Sequence, residues 1–595
     1  MAASPGEVII RNIGPARLAL LAVAMALGAF LGSAAPVRGA SFTVNATHDA
    51  VDASPGDGVC ADAGGACTLR AAVMETNALP GADEISLPAR TYVLSIPGAG
   101  EDASATGDLD VTDDLTLTGA GRDTTVIDGS QLDRVMHVLG SIRMNAQNLS
   151  LTNGSAGTSA GGGKCNPFAG QENGGGLCNE SGVVHLSNVS ISGSSATRHG
   201  AAVWNAGVIE VESSLIVGNT QEAIINGDNF NEGTATLRAT SVSDNGRGLR
   251  NYGTAILEDS VFDGNLNGVE NWGGTLTMNR GQVKGNGQYG LLNFGDTMTL
   301  SGVTVDGNGS LGIANEMPGK LVVIGSTISN NAGAGVSSSV GQPVDTPLVP
   351  ASLAMTNSTV TGNLQGGILT GGDMVLLNVT IAHNTGPGVS REDRPFPIIT
   401  TLANTIVTNG TGPNCSGSIT SLGHNLDSDG TCGLSGPGDL SGVGEEAGLL
   451  PLADNGGPTQ TQALLLGGCQ GDACVFGSIA IDAGDNSSCP ATDQRGVRRP
   501  QDGDNQDGVI CDIGAFELEG PPPVPCPAGQ ACPSVGPVTP TPALAVPTPI
   551  PALPAALPQT GGAPRDRGLP LVATLAVLPA LAGAMALSWR LVRKR

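Results

Sequence analysis

The sequence predicts an all-β chain wound as a solenoid, and three observations predict it. The first is a phrase, Gly-apolar-x-Asn-x, met four times between about Asn205 and Asn315. It reads Gly248-Leu249-Arg250-Asn251-Tyr252, Gly268-Val269-Glu270-Asn271-Trp272, Gly290-Leu291-Leu292-Asn293-Phe294 and Gly312-Ile313-Ala314-Asn315-Glu316. The second is an asparagine recurring in step, at Asn219, Asn245, Asn265, Asn286, Asn308, Asn331, Asn363, Asn384 and Asn409, mostly 20 to 26 residues apart. A fixed period in that range marks a repeat architecture in which each unit buries its apolar face only against its neighbours. The third is the filling of each period. Short β-type runs such as Ala255-Ile256-Leu257 and Ser260-Val261-Phe262 alternate with Gly and Asn, and no 10-residue stretch carries a helical apolar stripe. Two or three short strands plus turns occupy about 22 residues, one coil of a parallel β-helix. Coils stack about 4.8 Å apart. Equivalent asparagines then lie above one another, where their amides can hydrogen-bond along the stack. Asn and Gly also tolerate the left-handed backbone expected at a coil corner.

This pattern resembles the right-handed parallel β-helix repeat family over about residues 105–410, and the handedness comes from that resemblance. The expected fold is therefore a single-stranded right-handed parallel β-helix with an N-terminal cap and a C-terminal disulfide-containing module.

Residues 1–40 read as a secretory signal peptide: Arg11 and Arg17, the apolar run Leu18 to Leu31, then small residues. Residues 41–104 hold Gly58-Val59-Cys60 and Cys67-Thr68-Leu69-Arg70-Ala71-Ala72-Val73-Met74-Glu75-Thr76-Asn77. They resemble the CSLREA-type N-terminal domain of exported bacterial β-helix proteins, with Ala71 where that motif has Glu. Leu69 to Asn77 fits a short helix with Leu69, Ala72, Val73 and Thr76 on one side. A solenoid exposes an apolar end, so capping is the expected task. Residues 105–410 form the β-helix.

Residues 411–519 contain Ala480-Ile481-Asp482-Ala483-Gly484, Asp493-Gln494-Arg495-Gly496 and Cys511-Asp512-Ile513-Gly514-Ala515-Phe516-Glu517. They resemble the choice-of-anchor Q domain found before variable C-terminal anchors. The charged set Asp482, Asp493, Arg495, Arg499, Asp512 and Glu517 suits loops fixed by bidentate hydrogen bonds better than catalysis. Within the module, Asp502, Asp504 and Asp507 space oxygen donors at alternate positions before Gly508, as a calcium loop does. The downstream bidentate Glu is missing, so calcium stands beside the plainer reading of an acidic, solvated loop. Residues 520–556 are Pro-rich and make an extended spacer.

Residues 557–595 begin with Leu557-Pro558-Gln559-Thr560-Gly561, continue with the apolar run Leu569 to Trp589 and end on Arg590, Arg593, Lys594 and Arg595. This order resembles a sortase sorting signal of the LPxTG type. That resemblance implies cleavage between Thr560 and Gly561 and attachment to peptidoglycan. Simple membrane anchoring by the apolar run is the alternative. The expected location is extracellular, held at the cell wall or membrane by the C-terminus.

Twelve cysteines fall into neighbouring pairs: Cys60/Cys67, Cys165/Cys178, Cys415/Cys432, Cys469/Cys474, Cys489/Cys511 and Cys526/Cys532. An even count with short loops in an exported chain reads as disulfides. No pair has a second Cys/His pair at zinc spacing. The net charge of −26 argues against nucleic acid and anionic membrane surfaces as partners.

Alternation places Leu249 and Asn251 inside the coil and Arg250 and Tyr252 outside. Trp272 and Phe294 take the Tyr252 slot on the next coils. A row of rings about 4.8 Å apart suits the apolar faces of sugars, or simply covers the coil edge. Asp263, Lys284 and Asp306 recur two residues before the ladder asparagine, which reads as a charge-balanced surface row. No catalytic residue is assigned, and the balance falls against an enzyme. The expected function is display or adhesion with Tyr252, Trp272 and Phe294 contacting a polysaccharide or cell-surface glycan. A polysaccharide lyase or hydrolase and a purely structural surface-layer component are the alternatives. Beyond calcium, no cofactor is implied.

Overall fold

The computed structural model describes residues 39–157, 165, 172–229, 232–316, 319–338, 350–393, 397–470, 473–504 and 508–520, with backbone alone for 468–470 and 473–475. A regular coil carries three short strands, for example Thr254–Glu258, Val261–Asp263 and Val269–Trp272. The first two join a 28-stranded sheet, and the third joins a 13-stranded sheet on another face of the coil. Each strand pairs in parallel with its counterpart one coil away. One column runs Leu249, Val269, Leu291, Ile313, Val336, Ile368 and Val389. All seven are fully buried, so each coil's apolar face is covered by the coils above and below.

Two amide columns run through the stack. In one, Asn179 donates its Nδ2 to Oδ1 of Asn205, and the relay continues through Asn226, Asn251, Asn271, Asn293 and Asn315 at 2.7–2.9 Å. Ser338 takes the last donation. In the other, Asn219, Asn245, Asn265, Asn286, Asn308, Asn331, Asn363 and Asn384 hand on the same bond at 2.9–3.2 Å. Here each Oδ1 also accepts the backbone N–H of the preceding asparagine, as Asn286 does from Asn265. Asn271→Leu should therefore cost about 1–3 kcal/mol, because Asn251 and Asn293 lose a buried partner. A melting temperature equal to wild type would sink this account of the column.

Gly and Asn do take left-handed positions, as at Gly264, Gly285, Asn357, Asn378 and Asn404, but the ladder asparagines are not left-handed. In the second column the residue just before each one is: Gly218, Asp244, Gly264, Gly285, Gly307, Asn330, Gly362 and His383 all have φ between 40° and 70°. This reversal turns each Asn side chain inward. Gly248, Gly268, Gly290 and Gly312 of the repeated phrase are not left-handed either. They are glycine because the coils touch there. A Cβ at these four positions would lie 2.3–2.6 Å from the carbonyl oxygen of the matching glycine on the next coil.

Parallel pairing extends beyond 105–410 at both ends. Ser41–Thr43 already pairs with Asp83–Leu87, and that strand with Leu115–Gly119. At the other end Leu426–Asp427 pairs with Leu440–Ser441. These outer strands are two to five residues long and lack the Asn phrase, which hides their period. The single α-helix among the described residues, Leu69–Ala78, starts at Thr68, whose side chain accepts the Ala71 N–H. It is buried on more than the expected face. Arg70 is sealed in, paired with Asp49 and donating to the carbonyls of Ser104, Gly107 and Asp108. Glu75 is sealed by a loop on the other side, where it accepts the N–H groups of Gly56 and Gly58.

Residues beyond the coils fold back along the long sheet. Gln494 is buried among Ser326, Thr327, Thr359 and Thr459. Asn378 donates to the carbonyls of Asp512 and Gly514. Disulfides join Cys60–Cys67, Cys165–Cys178, Cys415–Cys432 and Cys489–Cys511. The backbones of Cys469 and Cys474 face each other across a hairpin, and Cys526 and Cys532 lie outside the described residues.

Candidate functional site

The third residue of each Gly-apolar-x-Asn phrase points away from the core of the 13-stranded sheet. Followed through the register, these residues form one row: Asp110, His137, Cys178, Trp204, Ile225, Arg250, Glu270, Leu292 and Ala314. The row divides into two polar stretches with an apolar patch between them. In the patch, Cys165 reaches over the sheet through its disulfide to Cys178 and packs with Trp204, Ala206 and Ile225.

The downstream stretch is a crossed pair of ion pairs. Glu222 lies 3.3 Å from Arg247 and 3.1 Å from Arg250. Glu270 lies 3.0 Å from Arg247 and 2.7 Å from Arg250. Burial pushes the Glu222 carboxyl up, but His199 and Arg250 outweigh it and hold it below the usual range. Glu270 also accepts the Asn267 amide at 2.7 Å and the Trp272 Nε1–H at 3.0 Å. Flat groups stack beside this network. The Arg250 guanidinium sits 5.3 Å from the centre of the Trp272 ring, and that ring lies 4.6 Å from Phe294 at 28°. Ring follows ring at the coil repeat, because Trp272 and Phe294 are in register.

Tyr252, Trp272 and Phe294 thus occupy equivalent places, but none stands free: all three are half-buried. Burial raises the Tyr252 phenol, with the neighbouring Arg250 pulling it back. Glu222, Arg247 and Glu270 received no role from the sequence. Their signal was present in the x position of the phrase, at Glu270, and in the place before its glycine, at Arg247 and at Glu222, where Ala223 stands for the glycine.

The upstream stretch is denser. His137 Nδ1 lies 3.1 Å from Asp110 and 4.0 Å from Asp102, and its Nε2 lies 3.6 Å from Glu180. One step along, Arg134 pairs with Asp108 at 2.7 Å and Glu172 at 3.4 Å. Burial pushes the carboxyls of Asp110 and Asp133 upward, and Asp108 adds to both. Burial lowers the His137 imidazole, but Asp110 and Glu180 win and lift it to about 9. Apart from Asp102 and Glu180, these groups are closed to solvent. Perturbed groups this dense mark either a functional centre or a structural ion network.

The remaining sequence candidates fall elsewhere. Lys284 lies 3.9 Å from Asp263, while Asp306 accepts Ser329 and Asn330. In the C-terminal module, Arg495 binds Asp493 and the Glu517 carbonyl, and Arg499 pairs with Glu517 at 3.1 Å while donating to the carbonyls of Asp512 and Gly514. Asp482 and Asp512 accept backbone N–H groups. The carboxylates of Asp482, Asp502 and Asp504 converge to within 4.8 Å, while Asp507 lies outside the described residues. So do Leu557, Pro558, Thr560, Gly561 and the run Leu569 to Trp589. Among the described residues no helix is long and apolar enough to cross a membrane.

The model of a family described as "right handed beta helix region" matches residues 231–426. The fold is a right-handed parallel β-helix. No curated protein matches the chain. Among solved structures it is similar to the A-module of mannuronan C-5 epimerase AlgE6 from Azotobacter vinelandii, at 17% identity and TM-score 0.39, covering 59% of this chain and 94% of that one. It is also similar to the catalytic unit of a GH87 α-1,3-glucanase from Streptomyces thermodiastaticus, at 16% identity and TM-score 0.38, covering 67% and 72%. Pectate lyase Pel9A matches at 13% identity and TM-score 0.28, covering 81% of this β-helix chain and 98% of that one.

Proposed function

We propose that this β-helix is an exported, C-terminally anchored surface protein that binds polysaccharide along the outward face of its 13-stranded sheet. The observation carrying the reading is the stack of Arg250, Trp272 and Phe294, one flat group per coil, beside a fixed set of hydrogen-bonding groups. Ring faces suit the apolar faces of sugars, and Arg247 with Glu222 supplies partners for hydroxyls. The crossed ion pairs hold the platform in place before any ligand arrives, which lowers the ordering cost of binding.

Affinity measurements against a panel of polysaccharides test this. Trp272→Ala should weaken binding by about 1–3 kcal/mol, the size of aromatic stacking on flat ligands. It should also lower stability, because the ring is half-buried and donates to Glu270. Trp272→Phe keeps a ring and separates the two effects. Unfolding in Trp272→Ala with unchanged sugar affinity in Trp272→Phe and Phe294→Ala would mean that the rings only pack.

The sorting sequence and its basic tail support anchoring. Thr560→Ala should move the protein from the peptidoglycan fraction to the membrane or medium; unchanged wall attachment would remove sortase from the account. The competing enzyme reading draws on the carboxylates gathered around His137 and Arg134. Most of that cluster is sealed, so a polymer has no approach to it. New reducing ends or unsaturated uronates released from the same panel would favour the enzyme. Neither binding nor turnover would leave a structural surface-layer role.

A further inference from the structure

We infer that His137, Asp110 and Asp102 form a site for one first-row divalent transition ion that ties the segment before the first 13-stranded-sheet coil to the next coil. The inference goes beyond polysaccharide binding and rests on other residues.

The three side chains come from three places. Asp102 lies on the connection leading into the sheet, Asp110 on the strand Leu109–Val111, and His137 on the strand Met136–Val138 paired with it. One ligand atom from each lies within 4.8 Å of the others. Nδ1 of His137 is 3.1 Å from Asp110 and 4.0 Å from Asp102. Two donors about 2.0–2.2 Å from one ion sit roughly 3.1–4.2 Å apart, depending on the angle between them. Both separations therefore suit a shared ion with little movement. Asp102, whose side chain is 71% exposed, can supply the remaining adjustment.

The other side of the ring supports the same assignment. Nε2 of His137 is buried without a hydrogen bond and faces Glu180 at 3.6 Å. A metal-bound histidine characteristically gives its second N–H to a carboxylate, which fixes the ring and leaves the first nitrogen for the ion. Glu180 is held for that role by the backbone N–H of Cys165. Asp110 is held too, since its other oxygen accepts the Ser104 N–H.

Charge points the same way. Asp108, Asp110, Asp133 and Glu172 are buried here with Arg134 and His137, and Asp133 Oδ2 has no hydrogen-bond partner. Among the described residues the buried carboxylates here outnumber the cations, an arrangement that favours a further positive charge. An imidazole with two carboxylates selects a borderline ion such as zinc or cobalt over calcium, which takes oxygen donors. Asp102 lines a surface cavity of about 300 Å³ together with Asn77 and Thr112, while Asp110 and His137 lie beneath the surface.

The test uses the full chain stripped by chelator, then titrated with Co²⁺ by visible absorption and with Zn²⁺ by calorimetry. One ion per chain and a rise in melting temperature on loading are expected. Asp102→Asn should fold normally and weaken binding about tenfold or more, and His137→Gln should abolish it. Glu180→Gln should weaken binding about 10–100-fold as a positioning change, without removing a ligand. Absence of binding at submillimolar metal would overturn the site and leave the His137 imidazolium as the local cation. Binding that survives Asp102→Asn but is lost in Asp502→Asn would overturn it as well, and would place the ion in the C-terminal module.

Discussion

Arg134→Leu should cost about 3–5 kcal/mol of stability, the typical loss when one partner of a buried ion pair is removed. The guanidinium is sealed between the first coils, bonded to Asp108 and within 3.4 Å of Glu172. Leucine fills part of the space but leaves these carboxylates without their cation. Removing Asp108 as well should restore part of the loss, because the uncompensated charge goes with it. Urea unfolding followed by circular dichroism reads both variants. A cost below about 1 kcal/mol for the single change would mean that protons or water replace the guanidinium, and would weaken the account of this cluster as a charge lock.

Gly268→Ala should cost roughly 1–3 kcal/mol through overpacking. Its Cβ would lie 2.5 Å from the carbonyl oxygen of Gly290 and 2.6 Å from Val283. The oxygen is backbone, so relief requires separating two coils. Gly157 offers the contrast: among the described residues its Cβ would meet nothing nearer than 3.8 Å, and Gly157→Ala should be tolerated. Equal melting temperatures for the two variants would show that the coils part more easily than their spacing implies.

The coil, its period and both asparagine columns were legible because the same residue returns at nearly the same interval. Leu249, Val269 and Leu291 announce a column without any knowledge of neighbours in space. The glycine of the phrase was legible as an invariant of the repeat but not in its cause, since φ and close approach leave the same mark on a sequence. The aromatic slot was legible for Trp272 and Phe294. Their attachment to Glu270 and Arg250 was not, because it depends on which way two outward side chains lean. The His137 and Arg134 clusters escaped for a different reason. Asp110 and His137 lie on coils without the Asn phrase, Glu180 ends the isolated copy Gly176-Leu177-Cys178-Asn179-Glu180, and the chain between Ala156 and Glu172 stretches the interval. Their common row becomes visible only through the pairing of Leu109, Met136 and Leu177.

The asparagine columns also govern how this molecule can change length. Successive members of the second column are 20 to 26 residues apart except Asn331 and Asn363, which are 32 apart and still bonded at 2.9 Å. The extra residues fall between Ser338 and Ala351, past one column and before the next. The relay is therefore blind to what happens at that corner. A whole coil can be duplicated or lost without interrupting either chain of amides, and loops can grow at a corner while the shaft keeps its register. Reach and surface decoration are then separate variables, open to change one at a time.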